Sequence, residues 1–209
     1  MAHAQPPHSQ TNSAPTNIPP IHRQTFVIGI TGASGAAYAL RLLDQLLTLG
    51  NTTHLIVTDY GKRLLNDELN IQSISLKTLC PHLATDQHAD QYAKRLIIHP
   101  NKDVGALPAT GSFLHQGMVI LPCSSTSMGA IATGSGSNLL TRAAAVTLKE
   151  RRPLIICHRE TPLSLIDINN MQTLTMAGAI IAPCNPGLYL NPKSINDLID
   201  FITGKALDL

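Results

Sequence analysis

The sequence contains no tryptophan, few other aromatic residues and no long hydrophobic run. Only 3% of its 209 residues are aromatic, which argues against a base-stacking surface for nucleic acid. Fifteen basic residues stand against thirteen acidic ones, so we expect neither a broad basic face nor a nucleic-acid partner. No apolar stretch approaches the roughly 20 residues of a membrane span. We therefore expect a cytoplasmic protein without a membrane span.

The cysteines and histidines show no metal-ligand spacing. The four cysteines include no C-x-x-C pair, and the nine histidines form no H-x-H pattern. Metal sites and disulfide frameworks usually show such spacings, so we assign no metal. The sequence predicts buried thiols in a reducing compartment, at Cys80, Cys123, Cys157 and Cys184.

The first 24 residues differ in composition from the rest. Residues 1–24 hold five prolines and almost no large apolar residue, and they lack the apolar run of a secretory signal. They are predicted to be a disordered tail. Residues 25–209 are predicted to form a single folded domain, because a chain of this length can bury one sizeable core.

Apolar runs of strand length alternate with helical patterns through the folded part. The predicted strands are Phe26–Ile30, His54–Thr58, Arg95–His99, Gly117–Pro122, Pro153–Cys157 and Ala179–Ala182. The predicted helices cover residues 36–50, 61–70, 76–84, 139–151 and 162–177, and a last one begins near 194. This alternation predicts the α/β class: a three-layer doubly wound, mainly parallel sheet, Rossmann-like or flavodoxin-like, in a single domain. Ligands of such sheets bind beyond the carboxyl ends of the strands.

The first predicted strand ends in a glycine-rich turn, GITGASG at residues 29–35. Its glycines would let a ligand approach the backbone, and the N–H groups of the following helix would attract an anion. Thr31 and Ser34 add hydroxyls suited to a phosphate. Asp59 follows the second strand and could bind a ribose hydroxyl, so a nicotinamide dinucleotide stays open at this point.

A run of four hydroxyl residues, Ser124 to Ser127, follows the fourth predicted strand. A helix N-cap needs one hydroxyl, whereas four suit the polar edge of a flavin or its ribityl chain. The run therefore favours flavin mononucleotide (FMN) over a dinucleotide.

Charged residues are concentrated between positions 142 and 160. Arg142 and Lys149 are seven apart on one predicted helix, hence on one face. Arg159 and Glu160 lie at the tip of an apolar strand, while residues 150–152 fit a solvated helix end. Arginine binds phosphate bidentately and lysine binds it as a point charge. Converging cations of this kind predict a phosphate that leaves during the reaction.

Three stretches carry a family resemblance that spans residue 26 to the end. They are GITGASGAAYALRLLDQL, ILPCSSTSMGAIATGSGSNLLTRAAAVTLKERRPLIICHRETPLS and NPGLYLNPKSINDLIDFI. The sequence resembles the flavin prenyltransferases (UbiX/Pad1 type, formerly described as aromatic acid decarboxylases). The resemblance implies a metal-independent enzyme that joins a dimethylallyl group from dimethylallyl phosphate to N5 and C6 of reduced FMN. It also implies a homo-dodecamer whose product, prenylated FMN, serves a UbiD-type decarboxylase in ubiquinone biosynthesis or aromatic acid breakdown.

The same resemblance implies roles for individual residues. The implied cofactor-binding residues are Gly32, Ala33, Ser34, Thr58, Ser124, Ser125, Thr126, Ser127 and Arg159. The implied contacts of the prenyl phosphate are Tyr189, Lys205 and Thr110. The implied catalytic residues are Glu160, Lys149 and Arg142.

Three other functions stay open from the sequence. An FMN-dependent cysteine decarboxylase of the phosphopantothenoylcysteine type would carry a histidine just after the start of the first helix, and residues 36–45 contain none. A non-catalytic FMN-binding protein would need the cofactor turns without Lys149, Glu160 and Lys205. An NAD(P)-dependent reductase would use the glycine turn together with Asp59.

Overall fold

The computed structural model describes residues 23–209, so the predicted disordered tail lies almost wholly outside the described residues. A six-stranded parallel sheet forms the middle layer, in the order β3-β2-β1-β4-β5-β6. This confirms the predicted doubly wound sheet. The strands are β1 Thr25–Ile30, β2 Thr52–Val57, β3 Leu96–Pro100, β4 Gly117–Cys123, β5 Leu154–His158 and β6 Ile180–Ile181.

Helices cover both faces of the sheet. One face carries α1 and α9, which pack on each other, and the opposite face carries α6, α7 and α8. No helix in the described part of the chain is long and apolar enough to cross a bilayer. The helices are α1 Ala36–Thr48, α2 Asp59–Leu69, α3 Leu76–Leu79, α4 Pro81–Thr85, α5 Ala89–Arg95, α6 Ser125–Ala132, α7 Leu139–Lys149, α8 Leu165–Met176 and α9 Ile195–Leu207.

One apolar core lies on each side of the sheet. Leu42 and Leu43 of α1 are fully buried against one face, and Leu140 of α7 is fully buried against the other. Every residue of β4 is buried, as expected for a central parallel strand covered on both faces. Full burial of one such leucine stabilises the fold by about 1.5–3 kcal/mol.

The structure differs from the sequence prediction in four helices. The helix predicted at 76–84 is two short ones, α3 and α4, which meet at Pro81; a proline lacks the N–H that would continue the first helix. The helices α5 and α6 were not predicted. The helix predicted from Pro162 begins at Leu165, because Ser164 is its N-cap and forms a capping box with Asp167.

Candidate active site

We call the carboxyl ends of β1, β4 and β5 the carboxyl edge. This edge contains the switch point of the sheet, because β2 and β3 lie on one side of β1 whereas β4, β5 and β6 lie on the other. Thr31 joins two of these ends. Its fully buried hydroxyl donates to the Pro122 carbonyl at 2.8 Å and accepts the Ser124 N–H at 2.8 Å. The prediction that Thr31 offers its hydroxyl to a phosphate is therefore wrong, because both hydrogen bonds lie inside the fold.

The glycine turn exposes Gly32 and Ser34 and buries Ala33. Gly32 packs against the start of α2, where an added Cβ would lie 2.6 Å from the Tyr60 Cβ. Gly35 has a φ of 125°, which a residue with a side chain rarely adopts. Both glycines are therefore required by the close packing and the shape of the turn.

A carboxylate already occupies the first N–H groups of α1. Glu68, near the end of α2, accepts the N–H of Gly35 at 3.1 Å and that of Ala36 at 2.8 Å. These N–H groups thus bind an anionic side chain in this structure, and their binding of a ligand phosphate stays a prediction. Sequence reasoning missed Glu68 as a site residue, because it is 33 residues from Gly35 and belongs to no local motif.

Thr58 stands between β2 and α2 and caps the helix. Its hydroxyl accepts the Gly61 N–H at 3.0 Å, while its own N–H donates to the Ile30 carbonyl at 3.0 Å. The hydroxyl hydrogen can still be donated to a ligand, since capping uses the oxygen as an acceptor.

The second hydroxyl turn has both structural and accessible members. Ser124 caps α6 by accepting the Ser127 N–H at 3.3 Å, and Ser125 contacts His158 Nε2 at 3.1 Å. The Thr126 side chain is exposed. The Ser124 hydroxyl also donates to the Ser127 hydroxyl at 3.2 Å. Three of the four hydroxyls are thus engaged within the fold, which the sequence run alone could not reveal.

A cavity of about 290 Å³ opens at the carboxyl edge and contains Arg159 and Ser34. The structure therefore brings the cation at the tip of β5 to the glycine turn, although 125 residues separate them (159 − 34). Glu160, which follows Arg159, is exposed and accepts the Thr161 N–H at 3.0 Å. The remaining lining residues are Gly35, Ala37, Tyr38, Glu68, Cys184, Ile195 and Ile199.

Burial changes the acidity of two groups in this cavity. Burial raises the pKa of Tyr38 above its usual range and raises the pKa of the Cys184 thiol to about 12. The Cys184 thiol donates to the Cys157 carbonyl at 3.5 Å. The four cysteines are free and buried, which confirms the prediction of buried thiols.

Tyr189 and Lys205 line a second cavity of about 340 Å³ along α9. The Tyr189 ring meets the Phe201 ring edge-on, with centroids 5.8 Å apart, and 79% of Tyr189 is exposed. The two residues that the resemblance assigns to the prenyl phosphate therefore lie together. Lys205 belongs to α9, and Tyr189 lies in the loop before it. The start of α9 lies beside the first cavity, which its Ile195 and Ile199 line.

Three predicted site residues lie on the face of the sheet opposite α9 and are here called the α7 surface. They are Arg142, Lys149 and Thr110. Lys149 ends α7 just before β5 begins, so it lies toward the amino ends of the strands, and its Nζ is 3.6 Å from Glu150 Oε1. Thr110 donates its hydroxyl to the Leu107 carbonyl at 2.8 Å. Within one chain, none of these three residues lines the cavity at the carboxyl edge. Arg142 lies near the start of α7, where the Leu139 N–H donates to the Asn101 carbonyl just beyond β3 at 2.8 Å.

The predicted solvated helix end at 150–152 is wrong for Arg152. Its guanidinium donates to the Phe113 carbonyl at 2.9 Å and to the Gly111 carbonyl at 2.7 Å. Arg152 therefore holds the loop that carries Thr110 against the end of α7.

The carboxyl edge fits FMN by its donor set. The exposed hydroxyls of Ser34 and Thr126 and the guanidinium of Arg159 lie at the ends of β1, β4 and β5. Together with the hydroxyl hydrogen of Thr58 after β2, these donors suit a ligand with one phosphate and a polar chain. Among residues 23–209, no three histidine, cysteine or acidic side chains are grouped to hold a metal ion.

Known proteins share this sequence and fold. The family model described as "Flavoprotein" matches residues 16–207. The flavin prenyltransferase UbiX of Halalkalibacterium halodurans is 40% identical over 188 residues, covering 90% of this chain and 89% of that protein. A UbiX-type crystal structure in complex with FMN and dimethylallyl pyrophosphate is 36% identical, with a TM-score of 0.76, covering 89% of this chain and 91% of that one.

A third match is a dodecameric FMN-dependent UbiX-like decarboxylase from Escherichia coli O157:H7. It is 30% identical, with a TM-score of 0.75, covering 88% of this chain and 93% of that one. An FMN-dependent cysteine decarboxylase, TvaF, matches at only 13% identity with a TM-score of 0.58, which shows the shared fold alone.

The protein defined by this fold and site is a flavoprotein enzyme of the doubly wound α/β class. The chain belongs to the flavin prenyltransferase family of the UbiX/Pad1 type, which confirms the resemblance seen in the sequence.

Proposed function

We propose that this chain transfers a dimethylallyl group from dimethylallyl phosphate to reduced FMN. New bonds form from the five-carbon unit to N5 and C6 of the flavin, while inorganic phosphate and a proton leave. The observation that carries this proposal is the cavity that joins Ser34 to Arg159 at the carboxyl edge. The Tyr189 and Lys205 cavity on the adjoining helix supports it.

The residues of the carboxyl edge would hold FMN as the acceptor substrate. Its reduced ring supplies electron-rich N5 and C6 atoms. The guanidinium of Arg159 suits a phosphate oxygen, and Thr58 has a hydroxyl hydrogen to donate. The full binding set that we propose is Gly32, Ala33, Ser34, Thr58, Ser124, Ser125, Thr126, Ser127 and Arg159.

A second set of residues would bind the phosphate that leaves. Lys205 and the cations of the α7 surface would stabilise the negative charge that develops on it, and Tyr189 would donate its phenol hydrogen to the same group. Thr110 would reach this phosphate only after its hydroxyl turns away from the Leu107 carbonyl. Among the described residues, Arg142, Arg159 and Lys205 form no ion pair, so their charge is available.

Glu160 is the proposed base for the second ring-closing bond. In that step the prenyl double bond gains a proton at one carbon and a bond to C6 at the other, and C6 loses its proton. Glu160 is exposed beside Arg159 at the tip of β5, where it can accept the proton lost from C6. A positioned base of this kind typically contributes about 10²–10⁴ in rate.

We propose that a second copy of the chain completes the site. Lys149 lies toward the amino ends of the strands, so another subunit must present an α7 surface to this carboxyl edge. Exposed apolar side chains support association, because large apolar patches mark interfaces. Leu165 and Ile166 are each 72% exposed, and Met176 is 81% exposed. We propose the dodecamer described for the E. coli relative.

The product, prenylated FMN, would pass to a UbiD-type decarboxylase in the cytoplasm. Family likeness supports this step, which places the chain beside ubiquinone biosynthesis or aromatic acid breakdown.

The test is anaerobic incubation of the full chain with chemically reduced FMN and dimethylallyl phosphate. We expect mass spectrometry to show the flavin gaining one five-carbon unit, with release of inorganic phosphate. Oxidised FMN is the matched control and should stay unchanged. A yellow protein that returns reduced FMN unmodified would instead be an FMN carrier, and a colourless protein would contradict FMN binding.

A further inference from the structure

We propose that Arg152 is a positioning residue for the phosphate of the prenyl donor. Its guanidinium fixes residues 107–113, here called the Thr110 loop, to the end of α7, so that the Thr110 hydroxyl and the Lys149 ammonium belong to one rigid unit. The inference deepens the proposed function and rests on it where Thr110 is said to contact the donor phosphate.

The end of α7 fixes the place of the Arg152 backbone. Arg151 has a φ of 58°, the left-handed conformation in which many helices end. Its N–H donates to the Leu148 carbonyl at 3.0 Å. The Arg152 N–H donates to the Thr147 carbonyl, also at 3.0 Å. These two hydrogen bonds form a Schellman motif, so the Arg152 backbone moves only together with the last turn of α7.

The Arg152 side chain binds the Thr110 loop at two points. Its two terminal amino groups donate to the Phe113 carbonyl at 2.9 Å and to the Gly111 carbonyl at 2.7 Å. Arginine presents such a pair of donors in one plane, whereas lysine presents a single ammonium. Among residues 23–209 this guanidinium forms no ion pair, so the loop, and not a carboxylate, accounts for its place.

Packing holds the two ends of the Thr110 loop, and its middle depends on Arg152. Ala109 is 5% exposed on one side of the middle. On the other side the Phe113 ring packs on His54, with ring centroids 4.6 Å apart. Thr110 is exposed between these contacts. Within the described chain, Arg152 supplies the only hydrogen bonds that reach residues 110–113 from outside the loop.

The Thr110 loop lies directly against the end of α7. A Cβ added at Gly111 would overlap the Glu150 carboxylate, so only a glycine allows this approach. The same carboxylate oxygen is 3.6 Å from Lys149 Nζ. The loop therefore lies beside a cation that we propose for the donor phosphate, and Arg152 sets the spacing between the two.

A fixed spacing matters because these residues would meet a phosphate bound at the carboxyl edge of another copy. The Thr110 hydroxyl can turn from the Leu107 carbonyl to a phosphate oxygen by rotation about one side-chain bond, with the loop backbone unmoved. A loose loop would have to be ordered each time the donor binds, which costs affinity. Loss of Arg152 therefore weakens binding of the donor and leaves binding of the flavin unchanged.

The first test is steady-state kinetics of the full chain with reduced FMN and dimethylallyl phosphate. We expect Arg152→Ala to raise the KM for the donor about fivefold. The Kd for FMN should stay within about twofold, because no residue of the Thr110 loop lines the carboxyl-edge cavity. Arg152→Lys keeps the charge without the paired donors and should raise the KM about threefold. Arg151→Gln removes a neighbouring exposed charge and should leave the KM unchanged.

A double-mutant cycle shows whether Arg152 acts through Thr110. Thr110→Ala should raise the KM for the donor about tenfold, since a hydrogen bond to a charged group is lost. Arg152→Ala in that background should add less than about twofold, because the hydroxyl that it places is already absent. Two effects that multiply in full would contradict the proposal.

Thermal unfolding shows whether each variant is folded, and Arg152→Lys decides the outcome if Arg152→Ala does not fold. An unchanged KM in a folded variant, or an equal loss of affinity for FMN, would overturn the proposal. If the unmodified chain transfers no prenyl group, the proposed function fails and this role fails with it. If transfer occurs and the Arg152 variants match the unmodified chain, this inference alone fails.

Discussion

The carboxyl edge and the α7 surface differ in how much of the proposed site one chain assembles. At the carboxyl edge, parallel pairing aligns the ends of neighbouring strands, and Ser34 and Arg159 share a cavity. On the α7 surface, Arg142 and Lys149 are exposed and do not line that cavity. The comparison shows that strand pairing within one chain brings strand-end residues together. The proposed role of the cations on α7, in contrast, requires a second subunit.

The largest expected effect comes from a carboxylate at the carboxyl edge. Glu160→Gln should lower prenylated FMN formation by about 10²–10⁴, because an amide cannot accept the proton from C6. Single-turnover assays with reduced FMN measure the rate. Asp90→Asn, exposed on α5, is the control and should retain full turnover. Full activity in Glu160→Gln would remove this residue from the chemistry.

A mixing experiment tests whether the two regions meet between subunits. Arg159→Ala and Lys149→Ala should each be impaired in their own assemblies, less severely than Glu160→Gln. If a site takes one residue from each of two copies, random co-assembly of the two variants restores about a quarter of the sites. Co-expression with two affinity tags and a turnover assay measures the recovery.

The control for mixing is Arg159→Ala co-expressed with Glu160→Gln, two changes on one strand tip. These two variants should not complement each other. Absence of recovery in the first mixture, with both chains present in the assembly, would mean that the site does not draw Arg159 and Lys149 from different copies.

A pair of threonine substitutions tests what holds the carboxyl edge together. Thr31→Val removes the partner of the buried Ser124 N–H and should lower the free energy of unfolding by about 1–3 kcal/mol. Thr53→Val is the matched change on β2, where the buried hydroxyl has no hydrogen-bond partner among the described residues. It should be neutral or slightly stabilising. Chemical denaturation measures both, and equal effects would contradict the bridging role of Thr31.

Lowering the pH should destabilise the loop at residues 101–116 and the carboxyl edge at different pH values. Burial lowers the pKa of His54 from 6.5 to about 4, so below pH 6.5 the unfolded chain binds protons first, and stability falls as pH drops toward 4. His99 and His115 are lowered in the same direction. Asp167 caps the start of α8, the helix that packs on α6. Its pKa is lowered from 3.8 to about 2, so its contribution to stability is lost only as the pH falls below 3.8.

Hydrogen exchange measures this difference. His54 and His99 hydrogen bond at 2.8 Å, and Phe113 packs on His54, so acid should first release the loop at residues 101–116. At pH 5 this loop should lose protection while α6 keeps it. Thermal midpoints should fall by about 2–4 °C for each kcal/mol lost. Simultaneous loosening of both regions would contradict the assignment.

The sequence predicted the sheet well, and the cavity that carries the proposed site lies at the strand ends. Strong apolar runs separated by helical patterns leave few alternatives to a parallel sheet, and the glycine turn and Arg159 follow from strand ends. The helix α6 was missed because its start is rich in hydroxyls and because it is stabilised by packing on α8, where Gly129 lies close to Asn170. Such tertiary contacts leave no local pattern.

The roles of single polar residues were harder to predict. Thr31 bridges the ends of β1 and β4, and Glu68 reaches the glycine turn from α2. Their partners are 91 and 33 residues away in the chain. Hydrogen bonding at this range depends on register and side-chain direction, which periodicity does not contain.

The buried thiol in the carboxyl-edge cavity bears on selectivity. An allylic donor alkylates any nucleophile within reach, and a thiolate would compete with the flavin. With a pKa of about 12, only about one Cys184 thiol in 10⁵ is ionised at pH 7, and its hydrogen is held by the Cys157 carbonyl. If the proposed site is correct, burial of this thiol and its hydrogen bond to Cys157 would keep the cavity from being alkylated by its own substrate.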